Sequence, residues 1–313
     1  MLIQKNELNI LIVYFRHVQV SICIVNYNVK YFLEKCIHSV LKASKNLKIE
    51  IIVVDNNSVD GSLSLIKEKF PSVKLIANTN NKGFAAANNQ AIKIASGKYI
   101  LLLNPDTVLQ EDTLEKSFIF MEANKNAGAL GIKMFNGDGD FLPESKRGLP
   151  KPSVAFYKLF GLAKLFPQSK KFGQYHLTYL DKNKNHEVDV LSGAYMMLRK
   201  ETLDKVGLLD ESYFMYGEDI DLSFRIKLAG FKNYYFAESS IIHYKGKSTK
   251  YDVQNIITFY KAMAIFATKH FTSNNSRVFL ILIHCAIMLR AGAALIARFF
   301  KRFFSSHSSK IEL

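Results

Sequence analysis

Val20-Ser21-Ile22-Cys23-Ile24-Val25-Asn26-Tyr27-Asn28 decides the fold. It is a short, continuous apolar run, rich in β-branched residues, that stops at turn-forming asparagines. That is the pattern of a strand buried on both faces. The pattern returns at Glu50–Asp55, Val73–Ala77 and Tyr99–Asn104. Between these runs, Lys30–Ala43, Gly61–Phe70 and Phe84–Ala95 carry apolar residues at helical spacing. A β-α-β-α-β-α-β order predicts an α/β fold with a mixed, mostly parallel sheet covered by helices on both faces. In such sheets ligands bind beyond the carboxyl ends of the strands. The segments to inspect are therefore Asn26-Tyr27-Asn28, Asp55-Asn56-Asn57-Ser58 and Asn104-Pro105-Asp106.

Composition narrows the classes further. The 313 residues carry 42 Lys and Arg against 27 Asp and Glu, a net charge of +15, which points to an anionic partner. Nucleic acid, a phosphorylated substrate and an anionic membrane all qualify. The chain lacks a recognisable RNA-binding motif and regular aromatic–basic interleaving, which argues against nucleic acid. Three cysteines, Cys23, Cys36 and Cys285, form no C-x-x-C arrangement, so a reducing compartment is the natural reading. Residues 1–19 read as an appended segment, since Arg16, His17 and Gln19 stand where small cleavage-site residues would follow an export signal.

Beyond the first half the alternation breaks. Phe141–Glu187 holds most of the prolines and several lysines with poor periodicity, as expected of a loop-rich insert over a site. Val188–Leu198 reads as one strand with Gly193-Ala194 inside it, small residues that would let a ligand approach the backbone. Asp252–His270 predicts a helix. Val278–Phe304 is apolar, interrupted by Arg290 and Arg298, and fits a basic amphipathic helix lying in a bilayer interface better than a span. The expected organisation is a domain over 20–250 and a helical, membrane-associating region over 251–313.

The chemistry-bearing residues cluster at Phe214-Met215-Tyr216-Gly217-Glu218-Asp219-Ile220-Asp221-Leu222. Three carboxylates open a helix, where acids are favoured by the macrodipole and by unpaired N–H groups. Asp219 shares a helix face with Leu222 and Ile226, while Asp221 is placed to pair with Arg225 at i+4. An inward carboxylate at a pocket edge is a candidate general base. Asp106 ends a strand where a phosphate-bound metal could be held, and His243 closes another apolar run. Asn81–Asn89 opens a helix with small residues and Lys82, a reasonable anion-side element. No G-x-G-x-x-G follows the first strand, which weakens a dehydrogenase reading. Gly246-Lys247-Ser248 is not a P-loop, because Ile241 stands at the motif's first glycine.

Taken in order, Val20–Asn28, Val53–Ser62, Asn81–Asn89, Leu101–Thr107, Leu191–Arg199 and Phe214–Arg225 resemble the GT-A-fold family 2 glycosyltransferases. The Phe214–Leu222 stretch resembles the rhamnosyltransferase-like branch, whose members act in bacterial cell-wall and surface-polysaccharide assembly. The resemblance implies a nucleotide-sugar donor, dTDP-L-rhamnose or else a UDP-sugar, and a saccharide or lipid-linked acceptor. It implies inverting transfer on the cytoplasmic, inner face of the membrane. By the same resemblance Val25, Tyr27, Asp55 and Asn56 line the nucleoside pocket, and Lys82 and Asn88 lie near ribose and diphosphate. Asp106 binds Mg2+ or Mn2+, His243 is a second metal or diphosphate contact, and Asp219, with Glu218 beside it, is the base. Asn104 replaces the first acid of the family's Asp-x-Asp motif and is a weaker ligand for a hard cation. The competing classes are a catalytically silent sugar-nucleotide-binding subunit and a basic nucleic-acid-binding protein.

Overall fold

The computed structural model describes residues 17–159, 161–246, 253–271 and 277–308. Most of the predicted N-terminal segment, 1–16, and Lys247 and Ser248 lie outside them. The first half follows the expected alternation: β1 (Val20–Asn26), α1 (Lys30–Ala43), β2 (Ile49–Asp55), α2 (Ser62–Lys69), β3 (Lys74–Ala77), α3 (Phe84–Ile94) and β4 (Tyr99–Leu103). After these come β5 (Thr107–Leu109), α4 (Thr113–Ala123) and β6 (Ala127–Phe135). The insert holds a 3-10 turn at Pro143–Ser145 and the short helices α5 (Pro152–Leu159) and α6 (Leu162–Leu165). The remaining elements are β7 (His186–Val188), β8 (Tyr195–Arg199), α7 (Lys200–Val206), α8 (Glu218–Leu228), β9 (Lys232–His243), α9 (Val253–His270) and α10 (Arg277–Ser308).

Among the described residues the strands form one sheet, ordered β3-β2-β1-β4-β8-β6-β9-β5, with β7 also paired to β9. The β3-β2-β1-β4 half is parallel and β6 pairs β9 parallel, whereas β8 runs antiparallel to both β4 and β6. β1, β4 and β8 are buried along their whole length, as their unbroken apolar runs require. One face packs against α1, α2 and α4 through Leu33, Ile37, Leu65, Leu114 and Phe118. The other packs against α3 and α8 through Ala85, Ala87, Ala91, Leu222 and Ile226. Ala85, Ala87 and Ala91 of α3 are fully buried, so this helix lies close on β1 and β2.

One expectation changes. The single strand over 188–198 is two, β7 and β8, separated by residues 189–194. The backbone between them leaves the sheet because it finds other partners: Val190 exchanges hydrogen bonds with Arg147, and Leu191 N donates to Ser223 Oγ. Gly193 therefore precedes β8 rather than lying within it. The space beside its Cα is taken by the protein itself, since an added Cβ would lie 3.3 Å from the Phe84 ring and 3.7 Å from Asp219 Cβ. The glycine thus brings α3 and α8 together.

The C-terminal helices lie beyond β9 in the chain. α9 packs on α8: Tyr213, Ala262 and Phe266 form a buried cluster with Leu149, Tyr216 and Ile220 around it. Among the described residues no helix is long and apolar enough to cross a membrane. α10 exposes Val278, Ile281, Leu282, Met288, Leu289 and Ile296.

Candidate active site

The carboxyl ends of β1 and β2 are joined through side chains. Buried Asp55 accepts from Asn26 Nδ2 at 2.7 Å and from Ser58 N at 2.8 Å. Ser58 Oγ in turn accepts from Asn26 Nδ2 and from Asn28 N. Asn28 and Asn57 adopt φ of 54° and 68°, a left-handed turn geometry that asparagine tolerates. Asn56 is buried, donates to Gly83 O at 3.2 Å and accepts from Asn78 at 2.9 Å. Asn88 donates to Phe84 O one turn earlier and is also buried. Asp55, Asn56 and Asn88 therefore shape the walls of this strand edge, with their side-chain bonds already committed. Val25 is buried between them, Tyr27 is 43 % exposed, and Lys82 is exposed.

The entry to α3 meets the approach to α8. Phe84 N donates to Phe214 O at 2.7 Å, and a Cβ at Gly83, whose φ is +84°, would come within 2.4 Å of that same carbonyl. Only glycine satisfies both the backbone angle and the clearance. On the other side of this contact, Tyr216 and Gly217 take φ of 68° and 97° and turn the chain sharply into α8.

Each of the three acids of α8 meets a different environment. Asp221 is 2 % exposed as a side chain and bonded at both oxygens: Oδ2 accepts from Arg225 at 2.8 Å, and Oδ1 lies 2.7 Å from His270 Nε2 on α9. The predicted i+4 pair is present, and His270 joins it. Asp219 Oδ2 accepts from Arg147 Nη2 at 2.5 Å and from Gly193 N at 3.3 Å, while Oδ1 accepts from Ile220 N. Glu218 is buried, and among the described residues its Oε2 has no hydrogen-bond partner. Burial, followed by the charge of Asp219, pushes the Glu218 carboxyl up to about 8.

Glu218 therefore costs stability at neutral pH. In the unfolded chain it ionises near 4.5, but in the folded protein it holds its proton to about 8. Between those values the unfolded chain binds fewer protons, so stability falls as pH rises through the window. Glu218→Gln is expected to melt higher than wild type at about pH 9, with the gap closing as the pH falls toward about 4. Thermal denaturation across that range checks it, and parallel melting curves would show that the acid is not strained by burial.

The turn after β4 forms the second cluster. Asn104 N donates to Ala194 O at 3.0 Å, which ties this turn to the loop carrying Gly193. Thr107 pairs with His243 across β5 and β9, and Tyr244 N donates to Asp106 O at 2.8 Å. Asp106 is 1 % exposed, with Oδ1 3.3 Å from His243 Nε2. His243 Nδ1 is buried without a partner among the described residues. No group of three His, Cys, Asp or Glu side chains converges there, again among the described residues.

Residues 21–207 match the family model described as Glycosyl transferase family 2. The chain belongs to that family. A second model, Glycosyl transferase family group 2, matches residues 169–308. This family 2 enzyme is 26 % identical over 260 residues to N-acetylglucosaminyl-diphospho-decaprenol L-rhamnosyltransferase of Mycobacterium tuberculosis, covering 79 % of this chain and 83 % of that protein. It is 28 % identical over 236 residues to rhamnosyltransferase WbbL of Escherichia coli K12, covering 72 % and 83 %. Among solved structures it superposes on the mannosyltransferase PcManGT of Pyrobaculum calidifontis, in complex with GDP-Man and Mn2+, with a TM-score of 0.57 at 17 % identity over 94 % and 80 % of the chains. It superposes on S. aureus TarS 1-349 in complex with UDP-GlcNAc with a TM-score of 0.55 at 18 % identity over 87 % and 72 %. The enzyme is a rhamnosyltransferase-like glycosyltransferase of the hexosyl-transferring kind, with the GT-A fold.

Sequence reasoning missed Arg147, His270 and the Asn26–Ser58 pair. Arg147 lies in a basic stretch of the insert with no periodicity to place it, and meets Asp219 across 72 residues. Asn26 carried a signal, as a polar residue ending an apolar strand.

Proposed function

We propose that this enzyme transfers a sugar from a nucleotide-diphosphate donor, with dTDP-L-rhamnose the leading choice over a UDP-sugar, to a hydroxyl of a saccharide or lipid-linked acceptor, with inversion. The observation that carries this reading is the link between two clusters at one sheet edge: Asp106 with His243, and Glu218 with Asp219, joined through the bond from Asn104 N to Ala194 O beside Gly193. The rhamnosyltransferase relatives support the choice of sugar and a role in cell-wall or surface-polysaccharide synthesis.

In this reading the acceptor oxygen attacks the anomeric carbon from the face opposite the diphosphate. Its proton passes to Asp219, and the bond to the leaving phosphate oxygen breaks with its electron pair going to that oxygen. Asp219 Oδ1 takes one backbone N–H and keeps a lone pair for the proton. Glu218, raised to about 8, stays neutral beside it at neutral pH. The exposed Tyr27 ring is available for the base, with Val25, Asp55 and Asn56 as the pocket wall. Exposed Lys82 reaches toward phosphate, and Asn88 stabilises the first turn of α3.

Asp106 and His243 fit a divalent cation, Mg2+ or Mn2+, with Asn104 alongside. Both are buried and His243 Nδ1 is unpartnered among the described residues, so these two side chains would hold the cation. Such a cation, when bound, neutralises the leaving group as a Lewis acid. Peripheral contact with the inner, anionic face of the membrane is supported by the exposed apolar residues of α10 beside Arg290, and by the net charge of +15.

Donor affinity tests the reading. Titrating dTDP-, UDP- and GDP-sugars by calorimetry, with and without Mn2+, should single out one nucleotide and show metal-dependent binding. For that donor Asp106→Ala is expected to bind roughly 10- to 100-fold more weakly in Mn2+ and nearly as wild type in chelator. Failure of every donor to bind would overturn the function, and unchanged Mn2+-dependent affinity in Asp106→Ala would overturn the metal assignment.

A further inference from the structure

The insert over 141–187 delivers the Arg147 side chain into the carboxylate cluster. Arg147 Nη2 donates to both Asp219 Oδ2, at 2.5 Å, and Leu191 O, at 2.7 Å. The pair is nearly out of water, with the two side chains 13 % and 14 % exposed. Arg147 is itself held on both sides. Its backbone exchanges hydrogen bonds with Val190, and next to it Lys146 is 2 % exposed and donates to Leu177 O at 2.5 Å. At Gly148 an added Cβ would lie 2.3 Å from Gln174 O, so the chain on the far side is packed too. A guanidinium fixed in this way has little freedom to follow a moving carboxylate.

We infer that Arg147 is a positioning residue for transfer, clamping Asp219 Oδ2 against the Leu191 carbonyl so that Oδ1 alone is presented to the acceptor hydroxyl. The inference rests on the reading of Asp219 as the proton acceptor. Its consequence is electrostatic as well as geometric. Among the described residues the nearby charged and titratable groups are Glu218 and Asp221 on α8, Arg225 and His270 on Asp221, Tyr213 beside Glu218 and Asp221, and Glu144 and Tyr175 facing Arg147. Glu144 is paired with Lys245. Among the described residues Arg147 is therefore the cation bonded directly to Asp219, while Arg225 and His270 are bonded to Asp221 instead. Removing it leaves two buried acids sharing a site, which bind a proton more readily.

The test uses the full-length enzyme and the donor and acceptor identified by the binding panel. Arg147→Gln is expected to lower kcat roughly 10- to 100-fold, to leave donor Kd within about twofold, and to move the acid limb of the kcat–pH profile to higher pH. Arg147→Lys restores a charge without the planar fork, so it should return the limb toward wild type and recover only part of kcat. A wild-type acid limb in Arg147→Gln overturns the proposal, as does a kcat for Arg147→Lys as low as that of Arg147→Gln with the limb still displaced. Should Arg147→Gln fail to fold, Arg147→Lys decides by itself: a lowered kcat at wild-type donor Kd supports the proposal, and a wild-type kcat overturns it. Wild-type turnover in Asp219→Asn would instead overturn the base reading, a separate result from any Arg147 outcome.

Discussion

Asp219→Asn is expected to lower kcat by roughly 10²- to 10⁴-fold, the range in which a positioned general base contributes. The change is isosteric, and the amide oxygen can still accept from Arg147 and Gly193, so the local geometry should persist. What is lost is the charge that receives the acceptor proton. Donor Kd should stay near wild type, because Asp219 faces the attacking hydroxyl in this reading and the diphosphate lies with Asp106. Loss of the Asp219 charge also relieves Glu218 of its neighbour's repulsion, which will lower the pH at which Glu218 ionises. Turnover, donor calorimetry and melting temperature together check the result. A variant that turns over like wild type on the identified donor would remove Asp219 from the chemistry.

Asp221→Ala should do the opposite. Its carboxylate lies between Arg225 and His270, almost fully buried, and it connects α8 to α9. Deleting it strips a partly buried cation of its anion, and breaking a fully buried pair costs roughly 3 kcal/mol or more. Arg225 keeps its bonds to Val206 O and Leu208 O, so the loss should fall at the lower end. We expect Tm to drop by about 5–10 °C and donor Kd to hold wherever the variant is folded. Melting with wild type would mean that the α8–α9 contact contributes nothing. Two acids separated by a single residue should thus give mirrored phenotypes, one kinetic and one thermodynamic.

Much of this architecture was legible in the chain. β1 and α1 fall where the apolar periodicity places them, and the other early elements differ only at their ends. Such patterns are local, and a parallel α/β sheet repeats one rule: apolar strand, turn, amphipathic helix. The rule failed at 188–198, where an apolar run continues but its hydrogen-bond partners change from β9 to Arg147 and Ser223, and then to β4 and β6. Hydrophobicity does not report which partner a strand takes. The helix-opening acids were legible for the same local reason, and the Asp221–Arg225 pair follows from helical geometry alone.

The environment of each acid was not legible, because desolvation and ion pairing depend on groups distant in sequence. Arg147 reaches Asp219 from 72 residues away, and His270 reaches Asp221 from 49. Gly193 and Gly83 let α3 and the approach to α8 close on one another, and Glu218 at the start of α8 is buried. By itself the sequence determined the sheet, the helix that carries the acids and the family. Only the tertiary structure decided which acid is clamped, which is neutral and which is a strut, since those properties belong to the low-dielectric space between elements rather than to any segment.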